Sequence, residues 1–75
     1  MATIDGTPVE SPMVGKIIQV KVKVGDTVRE DDEIAILEAM KMEMPIPSPC
    51  DGTVKEIYVA AGESVEAGKI IAIVG

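Results

Sequence analysis

Apolar residues along this chain fall into short runs broken by polar, glycine and proline positions. Between Lys16 and Val24, Val20, Val22 and Val24 alternate with Gln19, Lys21 and Lys23, the period of a half-buried strand. Ile17 is out of phase with that alternation, and Val54 is out of phase with Ile57 and Val59 in the same way. A bulge or kink is therefore predicted after residues 17 and 54. The run 33-EIAILEAMKMEM-44 is ambiguous when read alone. It is rich in good helix formers, and Ile34, Leu37, Met40 and Met44 approximate a helical stripe.

An internal repeat resolves the ambiguity. Shifted by 37 residues, 7–38 lies on 44–75 without a gap, and ten of the 32 aligned pairs are identical. Among these are Pro8/Pro45, Ser11/Ser48, Gly15/Gly52, Gly25/Gly62 and Ile34/Ile71. In this register 34-IAIL-37 lies on 71-IAIV-74, which is β-branched and too short for a helix. Pro45 would also end a helix there. Each copy reads as four short strands. The predicted fold class is all-β, with eight strands in a pseudo-twofold pair of small antiparallel sheets closing on one aliphatic core. Gly25 and Gly62 mark turns that want positive φ, and Gly15 and Gly52 mark the step into a strand. The paired prolines belong on edges or in turns.

The repeat leaves 39-AMKME-43 unmatched, with Lys41 at its centre. If one copy ends with strand 34–38 and the next begins with 44–47, this linker turns the chain and Lys41 sits at a hairpin tip. The twofold relation puts the chain ends together at the far side. Residues 1–6 fall outside the repeat and are expected to be a flexible N-terminal segment, leaving one domain over 7–75.

Composition narrows the possible chemistry. Seventy-five residues make one small domain, with a stability of about 4–11 kcal/mol at roughly 0.05–0.15 kcal/mol per residue. The net charge is −6, and Tyr58 is the one aromatic residue. No nucleic-acid surface is expected, because one needs excess cations and stacking side chains. No apolar run approaches the ~20 residues of a membrane span, and no basic-then-apolar signal segment is seen, so no direct membrane insertion is expected. With one cysteine, Cys50, and no histidine, the chain has no internal disulfide, no imidazole base and no familiar nucleophile pair. A self-sufficient enzyme is disfavoured, and a cytoplasmic location is expected. The acidic run 30-EDDE-33 reads as a solvated turn, and Cys50 as a half-buried filler.

A lysine at a tip is ordinarily just solvated, but the neighbours of Lys41 change its meaning. Met40 and Met42 at a tip must be at least partly exposed, unless one of them fills the core. An exposed methionine pair offers a soft, adaptable surface to a partner. Glu38-Ala39-Met40-Lys41-Met42 resembles the attachment motif of biotinyl domains, the carriers of biotin-dependent carboxylases, decarboxylases and transcarboxylases. The resemblance runs from about Pro8 to Gly75. It implies a flattened eight-stranded barrel-sandwich with the attachment lysine on the connecting hairpin. It further implies biotin joined by an amide to Lys41 by a biotin protein ligase. A lysine amine is protonated at neutral pH, so the ligase must favour the neutral form by desolvation or a base. Glu38 and Glu66 match carboxylates that help the ligase recognise its substrate, and solvated charge explains Glu66 equally well. The implied role is a non-catalytic biotin carboxyl carrier, moving a carboxyl group between a biotin carboxylase and a carboxyltransferase.

Two features refine the resemblance. The halves match without a gap, so the protruding thumb of common bacterial acetyl-CoA carboxylase carriers has no place here. The chain is closer to thumbless carriers of pyruvate, propionyl-CoA, methylmalonyl-CoA and oxaloacetate systems. These 75 residues also include no Pro/Ala-rich linker, which leaves a free-standing protein and an excised domain both open. A lipoyl carrier of a 2-oxoacid dehydrogenase complex is the alternative. It shares the tip lysine, but usually has Asp before it and a small or apolar residue such as Ala after it. A membrane-fusion adaptor typically lacks the lysine motif and splits its halves with a long insertion.

Overall fold

Pairing on both sides makes 33–39 a strand despite its helix-forming residues. The computed structural model describes residues 6–75, in eight strands. These are β1 (Thr7–Glu10), β2 (Gly15–Val20), β3 (Thr27–Val28), β4 (Glu33–Ala39), β5 (Met42–Pro47), β6 (Gly52–Ile57), β7 (Ser64–Val65) and β8 (Ile70–Val74). Strand β4 is flanked by β2 and β5, and its pseudo-twofold mate β8 by β6 and β1. The helical stripe dissolves accordingly: Ile34 and Leu37 are buried, Met44 is half-buried, and Met40 is exposed. Among the described residues no helix is long and apolar enough to cross a membrane.

The sheets are ordered β1-β8-β6-β3 and β5-β4-β2-β7. Each takes two strands from each copy, so the copies are interleaved. The 37-residue offset converts one order into the other. The result is a sandwich of two open sheets, not a closed barrel. Its edge strands β1 and β5 carry Pro8, Pro45 and Pro47, which have no N–H to extend a ladder. Ile17, Ile34, Leu37, Ile46, Ile71, Val54 and Val74 are fully buried between the sheets, each contributing roughly 1.5–3 kcal/mol.

Both expected bulges are present. The β2–β4 register shifts between Ile17 and Gln19, and the β6–β8 register between Val54 and Glu56. The strand predicted to reach Val24 ends at Val20. The Asp26 carboxylate accepts the Lys23 N–H, Asp26 N–H donates to the Lys23 carbonyl, and Gly25 adopts φ 98°. Val22 still packs against the core, but Val24 is in the turn and 60 % exposed. Gly62, the mate of Gly25, has φ 95°. Connections 21–26 and 58–63 are equal in length, so neither half carries an insertion. Ser11 and Ser48 are buried, and their hydroxyls donate to the Met13 and Cys50 carbonyls at 2.8 and 2.7 Å.

Thr7 pairs with Val74, and Gly75 exchanges both backbone hydrogen bonds with Thr53. The chain therefore enters and leaves at one place, the twofold mate of the β4–β5 turn. The flexible segment expected at 1–6 lies, over 1–5, outside the described residues. Gly6 is described, with φ 142° beside Val74.

Candidate functional site

The hairpin tip is tighter than the five-residue linker expected from the repeat. Pairing continues through Glu38↔Glu43 and Ala39↔Met42, which leaves a turn of two residues, Met40 and Lys41. Their φ angles are 52° and 66°. Positive φ at both central residues is the type I′ pattern, whose twist matches the flanking strands. Asn-Gly is the usual choice there. A side chain with a Cβ in the left-handed region costs roughly 1–2 kcal/mol per residue. Pairing from Glu33 to Ala39, anchored by buried Leu37, Ala39 and Ile46, holds this strained turn in place. Strain of this kind clusters at functional sites. Met40→Asn is expected to raise stability by about 0.5–1 kcal/mol, since Asn is several-fold enriched in that region. A urea midpoint that stayed level or fell would show that Met40 carries no strain.

Lys41 is exposed in this turn. Met40 is 83 % and Met42 65 % exposed, so neither fills the core. Glu38 and Glu43 face each other on the outer surface, and Lys16 lies across from Glu38 on its other side. Among the described residues the one ion pair within 4 Å is Lys21–Glu33, at 2.9 Å. Among the described residues no carboxylate pairs with the Lys41 amine.

Glu66 comes to the same end of the molecule from the second copy. It follows β7, whose Val65 pairs with Gly15, and its carbonyl accepts the Lys69 N–H in the next turn. In the sheet order β5-β4-β2-β7 it is two strands from β4, about 10 Å at 4.7–4.9 Å per strand. Lys41, Met40, Met42 and Glu38 share the hairpin, and Glu66 stands across β2 from them.

Two residues were not assigned to the site from sequence. A Cβ on Gly15 would lie 2.5 Å from the Glu38 carbonyl oxygen and 2.9 Å from Leu37 Cδ1. Gly15 thus lets β2 support the strand that carries the tip. Its sequence signals were its repeat at 52 and its place at the step into a strand. Val14, at the same end, is 67 % exposed. The other features read as expected. Asp32 and Asp51 accept backbone N–H groups of Arg29 and Glu30 around the exposed 30–33 turn, and Cys50 is half-buried.

A family model described as "Biotin-requiring enzyme" matches residues 7–74. The chain belongs to this biotin-requiring family. It is 52 % identical over 58 residues to the biotin carboxyl carrier protein of Streptococcus mutans, covering 77 % of this chain and 45 % of that protein. Against the human mitochondrial propionyl-CoA carboxylase alpha chain it is 43 % identical over 61 residues, covering 81 % of this chain and 8 % of the relative. The crystal structure of Kluyveromyces lactis urea carboxylase matches with a TM-score of 0.91 and 32 % identity, covering 100 % of this chain and 7 % of that one. The chain spans less than half the length of these relatives. The tip fits the family's cofactor: an exposed lysine on a braced turn, with no ion pair among the described residues, is an open amine for an amide bond.

Proposed function

We propose that this chain is a biotin carboxyl carrier, with biotin joined by an amide to Lys41 and residues 7–75 as the carrier domain. The observation that carries the reading is the tip itself. Lys41 occupies a two-residue turn with positive φ, between two exposed methionines. When bound, biotin supplies a ureido nitrogen that accepts and releases a carboxyl group. The chain's own residues hold and present. Strands β4 and β5 fix the lysine Cα, while the four-carbon stem gives reach. Met40 and Met42 offer adaptable apolar contact to successive partners. Glu38 and Glu66 are the carboxylates offered to a biotin protein ligase. Bond-making belongs to a biotin carboxylase and a carboxyltransferase, and tethering raises the effective concentration each of them meets. A cytoplasmic setting is part of this reading, supported by the lone thiol of Cys50.

The test uses the ligase-treated chain, a biotin carboxylase, ATP and ¹⁴C-bicarbonate. Label is expected on the chain and absent from Lys41→Arg. A chain that carries biotin by mass yet acquires no label would sink the carrier role. Uptake of lipoate in place of biotin would move the chain to the lipoyl carriers.

A further inference from the structure

Strands β1 and β5 are open edges of the two sheets, and they meet along one side of the sandwich. A groove of about 290 Å³ lies between them. Its walls carry four of the chain's five prolines, Pro8, Pro12, Pro47 and Pro49. Buried Val9 and Ile46, which are repeat mates, line it from within. Pro8 and Pro47 have no N–H, so neither edge offers a regular ladder to an added strand. The volume is at the lower limit of small-molecule pockets, roughly 300–1,000 Å³. Such a groove takes the side chains of a bound segment rather than a whole cofactor.

The rim of the groove is acidic, and the repeat shows that the fold does not require this. Exposed Glu10, Glu30 and Asp31 line it. The 37-residue offset puts Pro47, Ala67 and Gly68 at the matching positions. Asp31 has φ 72°, where its mate Gly68 has φ 85°. That region suits glycine, and an aspartate enters it at a cost. The turn is pinned all the same. Asp31 N–H donates to the Ser48 carbonyl at 2.9 Å, and Glu30 N–H to the Asp51 carboxylate at 2.8 Å. Among the described residues none of the three rim carboxylates pairs with a cation, the one ion pair being Lys21–Glu33. Unpaired like charges at a strained turn do nothing for stability, and strain of this kind points to a role. What they give the molecule is a negative rim around an apolar groove.

We propose that this groove docks an extended polypeptide segment in which arginines alternate with aliphatic residues, supplied by a partner that holds the domain by its side. The aliphatic side chains enter between the prolines over Val9 and Ile46. The arginine stems lie along the proline rings, with their guanidinium groups on Glu10, Glu30 and Asp31. Charge complementarity selects this occupant over an acidic or neutral one. Pro47 stands five residues along β5 from Met42, about 17 Å at 3.2–3.4 Å per residue. A segment seated in the groove therefore leaves Met40, Lys41 and Met42 uncovered. The domain is kept close to its partner, which raises the effective concentration of the tip while the tip itself stays free. The inference rests on the groove, its rim and the strained turn, and holds whether or not Lys41 is acylated.

The test titrates the ¹⁵N-labelled chain with the acetylated, amidated peptide Ala-Val-Arg-Ala-Val-Arg-Ala. Amide shifts are expected at Glu10, Glu30, Asp31 and Ser48 and not at Met40, Lys41 or Met42. A Kd on the order of 100 μM suits so small a site. The variant Glu30→Ala/Asp31→Gly copies 67-AG-68 from the other half, so its Tm is expected to equal or exceed the parent's. It is expected to bind the peptide about five- to tenfold more weakly, the loss of two exposed charge pairs. Glu56→Gln/Glu63→Gln removes two charges away from the groove and is expected to keep the parent Kd within about twofold. Citrulline in place of both arginines, or serine in place of both valines, is expected to weaken binding by about fivefold or more. No saturable shift up to about 1 mM peptide would overturn the proposal outright. A Glu30→Ala/Asp31→Gly chain that bound like the parent would overturn the acidic rim, and one with a lower Tm would show that the rim serves the fold. Equal binding of the serine peptide would reduce the effect to attraction between net charges and overturn the groove. Shifts centred on Met40 to Met42 would overturn it by moving the docking surface to the tip.

Discussion

Lys41→Arg is expected to fold like the parent chain and take up no biotin. The side chain is exposed and, among the described residues, makes no ion pair, so its replacement breaks none there. Arginine keeps the positive charge between Glu38 and Glu43 and meets the same backbone cost at φ 66°. A surface change of this kind falls within about 0.5 kcal/mol. The guanidinium, however, stays protonated and offers no free electron pair to an activated acyl group. Thermal melts should therefore overlay, while ligase-dependent incorporation falls to background. Incorporation into the variant would transfer the site to one of the five other lysines, Lys16, Lys21, Lys23, Lys55 or Lys69.

Gly15→Ala is expected to cost about 1–3 kcal/mol, the range for forcing atoms into packed structure. That is a large share of a total near 4–11 kcal/mol at this chain length. The new methyl would meet the Glu38 carbonyl oxygen at 2.5 Å and Leu37 at 2.9 Å. The first obstacle is backbone, so β2 and β4 have to separate at the place where they brace the tip. The repeat provides the control. A Cβ on Gly52 would meet Gly75 at 3.0–3.2 Å, which is tight but relieved by a small shift. Gly52→Ala should cost less than half as much in urea unfolding. Equal losses would show that glycine serves the strand start in both halves and has no particular role beneath Lys41.

Much of this architecture was legible because the chain writes it twice. The match of 34–37 with 71–74 overruled helix propensity, and out-of-phase Ile17 and Val54 marked both bulges. The exchange of strands between sheets was not legible, since pairing β1 with β8 depends on contacts across the whole chain. Nor was the end of β2, where Asp26 draws Lys23 out of a continuing alternation. The turn length was missed because Ala39, Met42 and Glu43 carry no turn signal and no mate in the repeat. Their pairing shortened the expected linker to two residues and forced positive φ on Met40 and Lys41, neither of which announces it. At the site, Lys41 and its methionines were visible from spacing and resemblance. The support from Gly15 needed coordinates, because it depends on how closely two backbones approach. Val14 was visible in principle, as the position where the halves differ by a valine against a hydrogen-bonding aspartate.

The most direct measurement is the intact mass of the chain after incubation with a biotin protein ligase, biotin and ATP, with fragmentation to locate any gain. The expected result is one addition equal to biotin less water, on the fragment that contains Lys41, with no gain in a parallel lipoate ligase reaction. An unchanged mass with biotin, or an addition on any other residue, would contradict the assignment of Lys41 as the carrier lysine.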